Sequence, residues 1–345
     1  MKILLMMALL LLSACDKAKP LAKSTVLHRL ADHTKTYQRP SPQHKISFPL
    51  AHAPKKGYRH EWWYLTANLV NQQGEKLAAQ WTLFRTAIND KHLYFAHGAL
   101  ANSSEHFSAL RLGRPDFGNL VIKTNPFSAF IDDWSWQSND NFLSASLNFG
   151  DNNLGRWQAQ LELTADNRFY LQGDKGYNRK HLTLPIASHY YSQPFIKVTG
   201  KVFLNGQWQK VTGDAWFDRE WGSQMLAPDQ QGWDWFSLRL TPDLALMVYR
   251  IRSTKQDHLY GSLMKKEGEV MILSAKHINI KSGSVDNTGY PQQFSLTLAE
   301  QDIDLTVKII NNKQIMRFGI NYFEGMVDFS GSHQGTGFLE MTGYE

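Results

Sequence analysis

The sequence reads WYLTANL at residues 63–69 and QWTLFR at 80–85, and a similar pattern recurs as WFSLRL at 235–240 and LMVYR at 246–250. In each pair an aromatic-led segment runs through a polar turn into a segment that ends in an aromatic residue followed by arginine. Two copies of an antiparallel hairpin predict a duplicated all-β unit, that is, two tandem β-barrels. A chance likeness between two aromatic hairpins is the alternative interpretation.

The rest of the chain also shows a period of two. Apolar and polar residues alternate in WQAQLEL at 157–163, FSLTL at 294–298 and IDLTVKI at 303–309, which is typical of half-buried strands. Asn205-Gly206 follows an apolar segment and favours the positive φ angles of a tight hairpin turn. No amphipathic stretch exceeds about three helical turns. The sequence therefore predicts an all-β fold with few and short helices.

The amino terminus predicts a lipoprotein. Lys2 precedes an apolar run at residues 3–12, and LSAC at 12–15 places small residues before the only cysteine of 345 residues. We expect residues 1–14 to be a signal peptide and Cys15 to be acylated; an ordinary signal peptide is the alternative. Residues 15–50 are rich in Lys, Pro, Ser, Thr and His, as expected of a tether. The expected barrels are residues 51–195 and 196–345.

Composition and motifs exclude several functions. The formal net charge is +6, but the basic residues are scattered, so a nucleic-acid partner is not expected. The chain contains no His-Glu-x-x-His run, cysteine pair, glycine-rich phosphate loop or Gly-x-Ser-x-Gly elbow. We therefore predict no metal and no cofactor.

The densest group of candidate catalytic residues is GDAWFDREWG at 213–222. In an extended strand Trp216, Asp218 and Glu220 share one face. Burial beside aromatic rings and a second carboxyl raises a carboxyl pKa, so one of the two acids would stay protonated and act as a general acid. The alternative is a structural salt link to an arginine, for which Arg85, Arg250 or Arg252 is available.

Three other segments carry candidate site residues. In HEWWY at 60–64, Glu61 and Trp63 share one face and Trp62 and Tyr64 the other; three successive aromatic residues fit a scaffold as well as a ligand site. His97 stands alone in a strand and fits a core residue. In SHYYS at 188–192, His189 and Tyr191 share a face and would offer a proton carrier and a phenol to one pocket.

These segments, in this order, resemble a known family. The set also includes FR at 84–85, FAH at 95–97, GWDWF at 232–236 and GFLEMTGY at 337–344. Together they resemble the AttH-like, carotenoid 1,2-hydratase-related family of lipocalin-like proteins from about residue 57 to the end. The resemblance implies two tandem lipocalin-like barrels and an apolar or isoprenoid-like ligand held inside or between them.

The resemblance also implies roles for individual residues. Carotenoid hydratases add water to an alkene, and Asp218 matches the position of the family's acid while His189 lies near that of its histidine. Trp216 and Tyr191 stand where the hydratases have tyrosine and tryptophan, which argues against carotenoid specificity. The candidate catalytic residues are thus Asp218, His189, Glu220 and Tyr191, and the candidate ligand-binding residues are Trp216, Trp233, Trp235, Trp63, Tyr64, Glu61, Arg85 and His97.

Three functions remain open at this point. The first is a binding module in the cell envelope, anchored on a membrane through Cys15, facing the periplasm and accessory to an ABC-type exporter. AttH-like proteins are often lipoproteins associated with such exporters, and Asp16 resembles a signal for staying at the inner membrane. The second is an acid-catalysed hydratase or isomerase with Asp218 as the general acid. The third is a purely structural envelope protein.

Overall fold

The structure is a computed structural model that describes residues 37–88, 91–139, 141–151 and 157–344. The predicted signal peptide, Cys15, Asp16 and most of the predicted tether lie outside the described residues. The described segments form two antiparallel sheets joined by turns and four short 3-10 turns, at Leu50–His52, Pro115–Phe117, Ala275–His277 and Ala299–Gln301. No helix in these segments has the length and apolar character needed to cross a bilayer.

The first sheet has 13 strands, in the order β4-β3-β2-β1-β13-β12-β9-β8-β7-β6-β5, with β10 and β11 also paired to β12. Its central strands are the long ones, and these carry the candidate site. The bounds are β1 His60–Asn71, β2 Lys76–Ile88, β3 Lys91–Ala101, β4 His106–Gly113, β5 Leu120–Thr124, β6 Phe127–Ile131, β7 Trp134–Ser138, β8 Ala145–Asp151, β9 Trp157–Thr164, β10 Tyr170–Leu171, β11 Tyr177–Arg179, β12 Ala187–Leu204 and β13 Gln207–Gly222.

The second sheet has 10 strands, in the order β17-β16-β15-β14-β23-β22-β20-β19-β18, with β21 paired to β22. Every pairing in it is antiparallel, as in the first sheet. The bounds are β14 Gln230–Thr241, β15 Leu244–Ser253, β16 His258–Lys265, β17 Val270–Ile272, β18 Ile278–Ser282, β19 Gln293–Leu298, β20 Ile303–Ile309, β21 Ile315–Phe318, β22 Ile320–Gly331 and β23 Gly335–Thr342.

The predicted duplication is confirmed by the topology. The order β3-β2-β1-β13-β12-β9 in the first sheet corresponds to β16-β15-β14-β23-β22-β20 in the second. The two hairpins that resemble each other in sequence are β1-β2 and β14-β15, at equivalent places. The chain is therefore all-β with two tandem lipocalin-like barrels, as predicted.

The boundary between the sheets lies between Gly222 and Gln230 rather than at residue 195/196. The hairpin β12-β13 contains the predicted turn at Asn205-Gly206, but it belongs to the first sheet, because β13 pairs with β1 from His60 to Asn71. A local turn signal does not say which sheet its hairpin joins, since that depends on pairing between strands far apart in sequence.

Each barrel contains its own apolar core, and a third cluster lies between the two. Trp81, Trp136 and Trp157 are buried inside the first barrel, and Phe236 and Phe294 inside the second. The third cluster joins aromatic side chains of both barrels, namely Tyr64, Tyr190, Trp216, Trp235, Tyr249 and Phe338. Strands β1 and β13 of the first sheet thus face β14 and β23 of the second, and the site lies at this contact.

Candidate functional site

A cavity of about 400 Å³ lies between the two barrels and is lined by residues of both. Its walls are mainly aromatic and aliphatic, with Trp62 and Phe84 from one barrel and Ile251 and Phe318 from the other. Such a volume suits a small apolar ligand. Five acidic residues are among those that line it: Asp218 and Glu220 on β13, Glu324 and Glu340 on β22 and β23, and Glu61 on β1.

Asp218 is buried in the cavity wall and its hydrogen-bond donors are neutral. The Tyr190 hydroxyl donates to its Oδ2 at 2.6 Å, and the Trp216 indole donates to its Oδ1 at 2.9 Å. Burial raises the pKa of Asp218 to about 7, although hydrogen bonds from Ser192, Tyr190 and Trp216 lower it and the nearby Glu220 raises it. A substantial fraction of Asp218 is therefore protonated near neutral pH, as a general acid requires.

Glu220 lies on the same face as Asp218 but has a cationic partner. Lys180 Nζ lies 2.7 Å from Glu220 Oε1, and the same ammonium group lies over the rings of Tyr190 and Tyr249, at 5.0 and 4.7 Å from their centroids. The two acids of β13 thus have different environments, one with neutral donors and one in an ion pair. That separation is typical of sites in which neighbouring carboxyl groups have different roles.

The arginines considered as structural partners of Asp218 bind other acids. Arg85 forms an ion pair with Glu61, while Arg250 and Arg252 approach Asp234, with Arg250 Nη2 at 2.7 Å from its Oδ2. Asp218 itself lies between Tyr190 and Trp216. The salt-link alternative is therefore not the arrangement that the structure has.

His189 and Tyr191 lie behind this wall. They share a face, as predicted, but their partners in the register of β12 and β13 are Trp221 and Arg219, whose side chains face the first barrel. The Tyr191 hydroxyl shares a hydrogen bond of 2.7 Å with His52 Nδ1, and the His189 ring packs against that of His44 with the ring planes tilted by 45° and the centroids 4.5 Å apart. Because side chains alternate along a strand, the intervening residue, Tyr190, is the one that reaches the cavity.

Side chains of the segment 60–64 also alternate between the interior of the first barrel and the cavity. Glu61 and Trp63 point into the first barrel, where Glu61 binds Arg85 and Arg219 and the Trp63 indole donates to the His52 carbonyl at 2.8 Å. Tyr64 points the other way and lines the cavity. Glu61, Trp63 and Arg85 thus have buried side chains that support the wall, with Glu61 and Arg85 also bordering the cavity, whereas Trp62 and Tyr64 lie on the cavity side of the sheet.

Two acids of the second barrel were missed by sequence reasoning. The Tyr64 hydroxyl donates to Glu324 Oε1 at 2.6 Å, and the Trp233 indole donates to Glu340 Oε1 at 2.6 Å. Glu324 and Glu340 are register partners on β22 and β23. Burial raises the pKa of Glu340 to about 7 and that of Glu324 well above its usual value, and each carboxyl interacts with the other. The signal available was an acid flanked by apolar residues in NYFEGM and GFLEMT.

The remaining predicted residues lie at or beside the cavity. Trp235 packs edge-on against Tyr64 and Trp216, with ring centroids 5.4 and 6.1 Å apart, and its indole donates to the Tyr190 hydroxyl at 3.2 Å. His97, which the sequence left as either a core residue or a candidate ligand-binding residue, lines the cavity and shares a hydrogen bond of 2.7 Å with the Tyr322 hydroxyl. Burial lowers its pKa to about 3, so the ring is neutral. The described segments contain no group of three or more His, Cys, Asp or Glu side chains arranged to hold a metal ion.

The buried Asp218 predicts a specific dependence of stability on pH. Its pKa is 3.8 in the unfolded chain and about 7 in the folded one, so it stabilises the fold fully below pH 3.8 and this contribution is lost as pH rises to about 7. Relative to Asp218→Asn, the wild type should lose up to about 4 kcal/mol of unfolding free energy between these pH values. Urea unfolding of both proteins at several pH values would measure it, and a constant difference would contradict the assigned protonation.

Comparisons with known proteins agree with the fold. The family model described as AttH-like matches residues 39–344. A crystal structure of a Nitrosomonas europaea protein assigned as AttH has 27% sequence identity and a TM-score of 0.79, and the match covers 89% of this chain and 99% of that one. The structure of kievitone hydratase from Nectria haematococca has 14% identity and a TM-score of 0.67, with 89% and 98% covered, and shares the fold. No curated protein matches the sequence. The chain belongs to the AttH-like family.

Proposed function

We propose that the protein binds a mainly apolar small molecule with a carbon–carbon double bond between its barrels and catalyses the addition of water to it. The observation that carries this proposal is the buried Asp218 carboxyl in the cavity wall, with neutral donors and a pKa near 7. An acid of this kind transfers its proton to an alkene carbon, and the aspartate that remains stabilises the cation formed.

The aromatic residues around Asp218 support the same chemistry. Protonation of an alkene leaves a carbocation, and the electron-rich faces of indole and phenol rings attract cations. Trp235 and Tyr64 line the cavity, and Trp216 is hydrogen-bonded to the acid itself. The fold shared with kievitone hydratase, a hydratase by name, is consistent with this proposal.

The proposal is tested by letting the protein select its substrate. The mature protein would be incubated in H₂¹⁸O with a lipid extract of the cells that produce it, and the extract would be analysed by mass spectrometry. We expect one component to gain a labelled water in proportion to the amount of protein. If no component gains label beyond that seen with boiled protein, the hydratase function is wrong.

A second candidate function is the binding and transfer of an apolar molecule without chemistry. The apolar character of most of the lining favours it, because van der Waals and hydrophobic contacts alone would hold such a ligand. In this function the protein would deliver its ligand to an ABC-type exporter. Native mass spectrometry would then show a bound molecule that leaves unchanged, with no labelled water in it.

Both functions include a lipid anchor at Cys15. We propose that the mature chain begins at this cysteine, carries acyl chains and faces the periplasm from a membrane. Cys15→Ser should move the protein from the membrane fraction to the soluble periplasmic fraction and should abolish metabolic labelling with radioactive palmitate. Labelling of the serine variant at the wild-type level would contradict the anchor.

A further inference from the structure

The second barrel contributes a pair of carboxyl groups to the cavity wall, and this pair has no role in the proton transfer from Asp218. Glu324 and Glu340 lie side by side on β22 and β23, both line the cavity, and Glu324 is only 1% exposed. Each has one oxygen bound to a neutral donor of an aromatic residue, Tyr64 for Glu324 and Trp233 for Glu340. The site therefore has acids on two walls, one from each barrel.

The Glu324–Glu340 pair is stable in its buried position only when at least one of the two carboxyl groups is protonated. Glu324 Oε2 is buried and has no hydrogen bond from an amide, hydroxyl or cationic donor in the described part of the chain, whereas the carboxyl groups of Glu324 and Glu340 are close enough to hydrogen-bond to each other. The charged groups that act most strongly on the pair are carboxyl groups, including Asp218 and Glu220. Two adjacent buried carboxylates cannot both be ionised without a cation, so they share a proton. The pair then carries one negative charge and can accept one further proton.

A second polar atom marks a place for water at the same cavity. His97 is 4% exposed, and its Nε2 atom is buried with no hydrogen-bond partner among the described residues. The neutral ring has its other nitrogen bound to Tyr322. A buried polar atom without a partner is usually satisfied by an ordered water or a ligand. The cavity thus combines an apolar lining with a position where a water molecule or a polar group of a ligand can bind.

Strand pairing and side-chain hydrogen bonds together connect the opposite walls. Tyr64 is the register partner of Asp218 across β1 and β13 and donates to Glu324. Trp235 is the register partner of Glu340 across β14 and β23 and donates to Tyr190, which donates to Asp218. A molecule in the cavity therefore has Asp218 on one barrel and the glutamate pair on the other.

We propose that Glu324 and Glu340 are the general base of the proposed hydration, a role that rests on that function. The Asp218 O–H bond breaks and its proton goes to one alkene carbon, which leaves a cation on the other carbon. Water forms a C–O bond to that cation and gives a proton to the glutamate pair. The product is the alcohol, and Asp218 regains its proton from the pair through solvent, so the cycle needs no other reactant.

The test uses the double variant Glu324→Gln/Glu340→Gln, because a single substitution leaves one carboxylate that can still accept a proton. Glutamine keeps the size of the side chains, and no buried charge is left unpaired. We expect hydration of the extract component to fall by about 100-fold. Exchange of alkene hydrogen for deuterium in D₂O should persist, because the cation can still form and return its proton to Asp218.

The control is Asp214→Asn/Asp328→Asn, which removes two exposed carboxylates from β13 and β22, each 2.7 Å from a lysine. It should hydrate like the wild type. The proposed base is wrong if the double glutamine variant hydrates at the wild-type rate, or if it loses deuterium exchange together with hydration. A wild type that neither hydrates nor exchanges would instead overturn the hydratase function. An infrared band of protonated carboxyl that is present in the wild type and reduced in the double variant would support the shared proton independently of turnover.

Discussion

Replacing Asp218 with asparagine is expected to lower the rate of water addition by about 10²–10⁴-fold, the contribution typical of a positioned general acid. Asparagine has nearly the same shape and can still accept the hydrogen bond from Tyr190, but it has no acidic proton to give to carbon. Binding of the apolar substrate should change little, since aromatic and aliphatic contacts supply most of the affinity. The effect should therefore be in kcat rather than in KM.

The pH dependence of the wild type gives an independent check on this assignment. Asp218 acts in its protonated form, so the rate should fall as pH rises through its pKa of about 7, and protonation of the proposed base, the Glu324–Glu340 pair, should lower the rate on the acid side. The matched control is Asp214→Asn on the same strand, whose carboxylate is bound to Lys197 at 2.7 Å and does not line this cavity. A variant lacking Asp218 with the turnover of the control would contradict the role of this residue.

Alternation along single strands predicted much of the site. Asp218 and Glu220 do line the cavity, Trp216 on the same face donates to Asp218, and the duplicated hairpins do occupy equivalent places in two barrels. These features depend on local periodicity and on similarity between two segments, both of which are visible in the sequence. The separation of the two acids into different environments required Lys180, which stands outside any motif.

Long-range pairing limited the rest of the prediction. His189 and Tyr191 share a face, but the register with β13 turns that face toward the first barrel and presents Tyr190 to the cavity. Glu324 belongs to a strand more than a hundred residues after Asp218, and only the packing of one barrel on the other brings the two into one cavity. A one-residue change of register would reverse every such assignment, so sequence alone does not fix it.

Glu61→Gln should have the largest effect on stability, a loss of about 3–5 kcal/mol in the free energy of unfolding. The Glu61 carboxylate binds Arg85 and Arg219 inside the first barrel, and all three side chains have no exposed surface. It also accepts the Lys55 amide at 2.9 Å. Glutamine would leave two buried guanidinium groups without their counter-ion, although both keep hydrogen bonds to backbone carbonyls.

Guanidinium chloride unfolding measures this effect, with Asp328→Asn as the control, because that variant breaks an exposed ion pair worth no more than about 1 kcal/mol. Substitutions of Asp218 and Glu61 should then have opposite effects on turnover and on stability. Asp218→Asn should lose turnover and keep or gain stability near neutral pH, whereas Glu61→Gln should lose stability and keep turnover wherever it remains folded. Glu61 and Asp218 lie on adjacent strands but on opposite faces of one sheet. A loss of turnover in folded Glu61→Gln would therefore mean that the buried ion pairs of Glu61 control the position of Asp218 as well as the stability of the wall.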